Sequence, residues 1–398
     1  MNKSLVAFAT LGAITSAAFA QSSVTVYGRI DQTITLQDPG KAAAASTGGK
    51  LGKSVVALRD ASGVGKGGSR IGFRGQEDLG DGLKANFQLE AAISPDTGAA
   101  GNSTTLTPSP GSSFFNRQAW AGLSHSSYGE LRLGRVETLT RENNSRFNSV
   151  AGEREISIVE NLGASSTQSL RPLFQNFGTR VDNAISYRSP VYGGLRVSAI
   201  LALGERIRST PAVTTPSAGV TRSSVNRAAQ YRGLGITYAA GPFEGGLTYE
   251  ELNGGSANGA YNEAFTLGGS CDFGIAKLHA AYQTTDDSGS QFAPTVTVVN
   301  TNTSTTTVTP FVRGLDHQAW NLGLSVPYGK FLFKTQYTGS TIDRLAGGDF
   351  DQSKYGVTAE YALSKRTWVY VAFTERGGDF KETYARKNEY SLGFAHTF

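Results

Sequence analysis

The sequence predicts an all-β fold, a transmembrane antiparallel β-barrel of about sixteen strands. Three observations predict it: an export leader, segments whose apolar residues recur at every second position, and short turns that alternate with long polar loops.

The leader comes first. "MNKSLVAFATLGAITSAAFA" carries Lys3 near its start, an apolar stretch from Leu5 to Ile14, and Ala18-Phe19-Ala20 as an A-x-A cleavage pattern. The apolar run is too short to span a bilayer and no stop-transfer flank follows. The expectation is a cleaved signal peptide over 1–20 and a single barrel domain over 21–398. After Ala20 no run of about eighteen apolar residues occurs, so a membrane-spanning helix is excluded.

The period-two segments follow. In "SVTVYGRID", Val24, Val26 and Ile30 lie opposite Tyr27, Arg29 and Asp31. In "SRIGFRGQE", Ile71 and Phe73 lie opposite Arg70, Arg74 and Gln76. "LKANFQLEA" sets Leu83, Ala85, Phe87, Leu89 and Ala91 against Lys84, Asn86, Gln88 and Glu90. "LRVSAILAL" and "KFLFKTQY" repeat the pattern, the latter separating Phe331, Phe333 and Tyr337 from Lys334 and Gln336. Each is a strand with one apolar and one polar face. Short turns punctuate them at "DLGDG", "SYGE", "VYGG", "AGPF", "CDFG", "PYGK" and "LSKR". Between the turns lie long stretches rich in Ser, Thr, Gly and Asn, as over Pro39 to Gly68, Ser94 to Ser113, Glu205 to Asn226 and Ser288 to Gly314. The chain thus begins and ends on the short-turn side, as an even strand number requires. The final "EYSLGFAHTF" alternates Tyr390, Leu392, Phe394 and Phe398 with small or polar residues up to the last position.

Composition agrees. Forty-nine glycines, 16 tyrosines and 21 phenylalanines suit a β-rich chain with many tight turns. The single cysteine, Cys271, forms no internal disulfide and reads as a packing residue beside a turn. The net charge of +5 is mildly basic, and export removes nucleic acid as a partner. A soluble sandwich would not alternate short and long loops, and a solenoid would show a fixed short repeat. A barrel in the outer membrane accounts for export, even strand number and loop asymmetry together, because closure pairs every backbone edge that lipid would leave unsatisfied.

"SSVTVYGRID", "GSRIGFRGQEDLGDGLKANFQLE", "NRQAWAGLSHSSYGELRLGR" and "SLGFAHTF", in this order, resemble the general porins of Gram-negative bacteria, in the β-proteobacterial type. The resemblance spans essentially the whole mature chain and is densest from Ser69 to Arg135. It implies a sixteen-stranded barrel, a homotrimer, passive diffusion of small hydrophilic solutes and ions across the outer membrane, and a third long loop that folds inward. That loop runs from about Glu137 to Gly178. Family members often carry a P-E-F-type motif in it; here "AGEREISIVENLG" stands in its place, with Glu153, Glu155 and Glu160 as acidic candidates and Ile156, Ile158 and Val159 as wall contacts. The partners implied are outer-membrane lipid, lipopolysaccharide and the barrel assembly machinery, for which the aromatic ending with Phe394 and Phe398 resembles the recognition signal. No cofactor or metal is implied.

A diffusion channel selects by width and by the charges at its narrowest level. Parity nominates the basic lumen residues Arg29, Arg70, Arg74, Arg132 and Arg180, with Tyr27 and Asp31 beside them; Arg188, Lys84 and Lys334 share the inward face. Arg117 and Arg135 share parity with apolar residues, so each needs a bulge or a place above the membrane. A lipid-facing arginine near the midplane would cost roughly 2–4 kcal/mol. The basic excess on the early strands predicts weak anion preference. The alternative is a substrate-specific anion or organic-acid channel of the same fold, and more distantly an adhesin or a barrel hydrolase. His125, His279, His317 and His396 show no H-x-x-H spacing, and "GVGKGGS" lacks phosphate-loop spacing, so no catalytic or metal site is expected.

Overall fold

A computed structural model describes residues 23–39, 54–60, 68–100, 114–150, 179–203, 230–253, 261–287, 316–343, 349–379 and 386–398. The strands in order are β1 (Ser23–Pro39), β2 (Val55–Asp60), β3 (Arg70–Gly80), β4 (Leu83–Ser94), β5 (Ala99–Ala100), β6 (Gln118–His125), β7 (Gly129–Glu137), β8 (Arg180–Arg188), β9 (Leu195–Ala202) and β10 (Gln230–Ala240). They continue with β11 (Phe243–Asn253), β12 (Tyr261–Asp272), β13 (Lys277–Asp287), β14 (His317–Tyr328), β15 (Phe331–Ile342), β16 (Phe350–Ala362), β17 (Thr367–Gly378) and β18 (Arg386–Thr397). A helix, α1 (Leu139–Arg146), follows β7.

Apart from β2 and β5, each strand pairs antiparallel with the next, and β1 pairs with β18, so the sheet closes on itself. β2 and β3 share one position in the wall. β2 pairs with Gln32 to Gln37 of β1, while β3 pairs with Ser23 to Arg29. β5 adds two residues to the end of β4 only. The wall therefore has sixteen positions. The stretch Pro39 to Gly68, read from sequence as loop, thus contributes β2. "VVALRD" is too short to announce itself by alternation, and only the free upper half of β1 selects it.

Alternation sorts the two faces. On β1 the residues Val24, Val26, Ile30, Ile34 and Leu36 are exposed on the isolated chain, while Arg29, Asp31, Thr33, Thr35 and Gln37 are buried. The same division recurs on β14, where Trp320 and Leu322 face out and His317, Ala319 and Asn321 face in. The exposed set is the apolar band that lipid covers, and the buried set lines the interior. Backbone demands explain the turns. At "DLGDG" Gly80 and Gly82 have φ of 88° and 80°, and Asp81 between them has φ of 50°, so the tight reversal needs residues that tolerate left-handed backbone.

The closing seam runs to the last residue. The β1–β18 register starts at Arg29 opposite Thr397. Beyond it the Gly28 amide donates to the Phe398 carbonyl at 3.1 Å, and the Phe398 amide donates back at 3.2 Å. The Phe398 ring lies on the outer surface of Gly28, where a Cβ would come within 2.4 Å of it. Tyr390, Leu392 and Phe394 are exposed on the same outer face.

Candidate functional site

The interior between β1 and β8 is lined by guanidinium groups from β1, β3, β7 and β8 and from Arg117 just before β6. Arg29 and Asp31, two residues apart on one face of β1, form an ion pair at 3.0 Å and are both fully buried. The Arg29 guanidinium lies 4.9 Å from the Trp368 ring, and Tyr370 donates its hydroxyl to Asp31 at 2.7 Å. Arg70 stands directly across from Arg29 in the β1–β3 register, a like-charged cross-strand pair that needs neighbouring carboxylate to persist. Glu90 of β4 supplies it. It lies 3.6 Å from Arg70, pairs with Arg117, and accepts a hydrogen bond from the Tyr27 hydroxyl at 2.9 Å. Arg74 lies over the Tyr27 ring at 5.1 Å and has no carboxylate partner among the described residues.

Further along the wall Arg132 pairs with Glu130 and lies 4.3 Å from the Trp120 ring. Arg180 is buried and pairs with Glu137 at 2.8 Å. Arg188 pairs with Glu142 on α1. There burial pushes the Glu142 carboxyl above its ordinary pKa, against the pull of Arg188. Lys334, on the far wall, pairs with Glu360. The structure thus brings Arg29, Arg70, Arg74, Arg132 and Arg180 together on one lumen wall with Tyr27 and Asp31. Glu153, Glu155 and Glu160, and with them Ile156, Ile158 and Val159, lie outside the described residues.

The two arginines that parity left open now have places. Arg117, just before β6, joins the interior cluster through Glu90. Arg135 sits where the β7–β8 register shifts between Gly134 and Val136. Gly134 has φ of 133° there, and the resulting bulge lets the buried Arg135 side chain reach Asp182 and, at 2.8 Å, the Asn116 carbonyl.

The chain after β7 crosses the interior wall. Thr138 caps α1, its hydroxyl accepting from the Arg141 amide at 3.4 Å. The helix start then meets Glu250 of β11: the Thr140 amide donates to its carboxylate at 2.6 Å and Tyr231 of β10 donates at 2.5 Å. A buried carboxylate at a helix N-terminus is held by amide donors and by the favourable end of the helix dipole.

Past the cap, inward-facing glycines make room. Leu139 lies against Gly233 and Gly235, and Phe147 fills the space over Gly246 and Gly268, where a Cβ at Gly268 would fall 2.3 Å from its ring. Ser149 occupies the gap at Gly323 and donates to the Thr335 carbonyl at 3.0 Å. Residues 138–150 thus run along the interior from β10 to β15. Sequence reasoning did not single out Glu90, Glu250, Tyr231 or these glycines. Their inward parity was available in "GLGITY" and "GGLTYE", but nothing local says that another segment would fill the space.

Comparison with known proteins adds to this geometry. Residues 5–380 match the Gram-negative porin family. The chain is 30% identical to an outer membrane porin protein of Bordetella pertussis over 100% of both chains. It is 32% identical to outer membrane porin protein 32 of Delftia acidovorans, over 72% of this chain and 70% of the relative. Among solved structures, the anion-selective porin from Comamonas acidovorans superposes with a TM-score of 0.64 at 25% identity, covering 95% of this chain and 100% of its own.

Proposed function

The chain belongs to the Gram-negative porin family, and from that premise we propose that it is a weakly anion-preferring diffusion channel whose selectivity is set by its arginine-lined wall. It is an outer-membrane porin, a channel and not an enzyme. The observation that carries the selectivity reading is the charge balance between β1 and β8. There Arg29, Arg70, Arg74, Arg117, Arg132, Arg180 and Arg188 stand against Asp31, Glu90, Glu130, Glu137 and Glu142, and two arginines share Glu90. Excess positive charge in a channel with low-dielectric walls concentrates anions. The anion-selective neighbour from Comamonas acidovorans supports the same sign.

The loop from Glu137 to Gly178 narrows the channel in this reading. Its first part is anchored on the glycine track, and Glu153, Glu155 and Glu160 are its candidates for the acidic side of a transverse field at the narrowest level. Solutes with dipoles align in that field, while apolar ones lose ordered water without compensation. Residues 1–20 serve as a cleaved leader, the working unit is a homotrimer, and lipopolysaccharide and the assembly machinery are its partners at the outer membrane.

Reversal potential in a salt gradient across a planar bilayer tests the reading: anion preference is expected, and cation preference overturns it. Liposome swelling with graded sugars, amino acids and organic anions separates a general pore from a solute-specific channel of the same fold. A smooth size cutoff supports the general pore.

A further inference from the structure

The outer face of β15 to β18 carries an apolar groove of about 670 Å³. Its floor is made of short side chains: Thr335 of β15 stands opposite Val357 of β16, and Ala359 stands between Phe333 and Val371. Phe333 forms one wall, and Phe373 with Tyr390, whose rings lie 5.0 Å apart, forms the other. Thr335 lies five residues beyond Lys330 in the short turn. Five residues climb about 16 Å along a strand and, at a tilt near 45°, about 12 Å along the membrane normal. The groove therefore lies in the periplasmic half of an apolar band roughly 25 Å tall.

The mouth of the groove is basic. The β14–β15 turn carries Lys330 and the β16–β17 turn carries Lys365 and Arg366, all exposed. The Ala362 amide donates to the Lys330 carbonyl at 2.9 Å, so the two turns stand side by side. None of the three side chains has an ion pair among the described residues. The short turns elsewhere differ: β3–β4 carries Asp78 and Asp81, and β12–β13 begins at Asp272. Between the cations and the groove the Phe331 and Tyr361 rings lie 4.8 Å apart. At its far end Trp320, Tyr337, Tyr355 and Tyr390 are exposed on the outer face. Aromatic rings at both ends of an outward face mark contact with lipid, so this sector of the wall meets lipid rather than a second copy of the chain.

We propose that the groove and its basic mouth are a binding site for an anionic phospholipid of the periplasmic leaflet. The head-group phosphate lies across Lys330, Lys365 and Arg366, and one acyl chain lies over Thr335, Val357 and Ala359. Ammonium and guanidinium groups donate charge-assisted hydrogen bonds to phosphate oxygens. A gap over short side chains forfeits dispersion contacts unless a chain fills it. A lipid whose head group has no net charge satisfies the groove but leaves the three cations unneutralised, so the site discriminates by head group. It stands on the outer face and does not depend on the ion preference of the lumen.

The test is native mass spectrometry of the intact assembled channel, titrated with phosphatidylglycerol or with phosphatidylcholine of the same acyl chains. Phosphatidylglycerol should bind about tenfold more tightly. Combining Lys330→Gln with Lys365→Gln should remove that preference and leave phosphatidylcholine binding unchanged. Ala359→Phe, which fills the floor of the groove, should weaken both lipids. Single-channel conductance equal to the parent's shows that each variant is folded. Equal binding of the two lipids to the parent, or an undiminished preference for phosphatidylglycerol in the double variant, overturns the site. So does a changed oligomeric state of Ala359→Phe with lipid binding intact, which would assign the groove to a second copy of the chain.

Discussion

Glu90 and Arg74 show how individual side chains set the electrostatics. Glu90 balances Arg70 and Arg117 and holds the Tyr27 hydroxyl at 2.9 Å. Arg74 stays uncompensated among the described residues, stacked on the same tyrosine. Substituting Arg74→Glu should shift the reversal potential toward cations without closing the pore; an unchanged potential would remove this residue from the selective region. Glu142 contributes a pH dependence. Its carboxyl pKa is raised, so on acidification it takes up a proton before an ordinary glutamate does. Arg188 then loses its partner, and anion preference should increase as the pH falls through the upper carboxylate range. Selectivity titrated in Glu142→Gln, which should start at the acid-side value and lack this step, checks the assignment.

At the scale of elements, α1 and the residues after it are fixed by complementarity with the wall rather than by their own helical propensity. The helix has eight residues, too few to be stable alone in water. Its start is tied to Glu250, and the segment after it is seated by Phe147 over Gly246 and Gly268. Glu250→Gln keeps the volume and removes the charge that Thr140 and Tyr231 address. Loss of a charge-assisted bond of this kind costs about 1–3 kcal/mol; the channel should show increased open-state noise and a larger sugar cutoff in swelling assays. Gly268→Val tests the packing independently. The added side chain occupies the place of the Phe147 ring, and a larger cutoff is again the expected outcome. A cutoff identical to the parent in both variants would mean that the segment does not limit the channel.

For the molecule as a whole, closure and the lipid face decide whether a barrel exists at all. The seam between β1 and β18 ends on the paired backbone of Gly28 and Phe398. Deleting Phe398 removes two hydrogen bonds and the ring that covers Gly28. The yield of assembled, heat-modifiable protein should fall while conductance of the surviving channels stays unchanged. Leu322, outward near the middle of β14 and 52% exposed on the isolated chain, meets hydrocarbon in the membrane; Leu322→Arg should destabilise the folded barrel by about 2–4 kcal/mol in urea unfolding from lipid vesicles. The sequence by itself determined the barrel, its strand number, its outer-membrane place and the sorting of Arg29, Arg70, Arg74 and Arg132 to one face, because period-two alternation is a local property that lipid on one side and water on the other impose strand by strand. Only the tertiary structure decided that Arg117 joins the lumen cluster, that a bulge turns Arg135 toward Asp182, that β2 completes the second wall position, and that glycines on β10 to β14 receive residues 139–149. Each of these depends on contacts between segments far apart in the chain, and alternation carries no information about which distant segment will fill a gap left by a glycine.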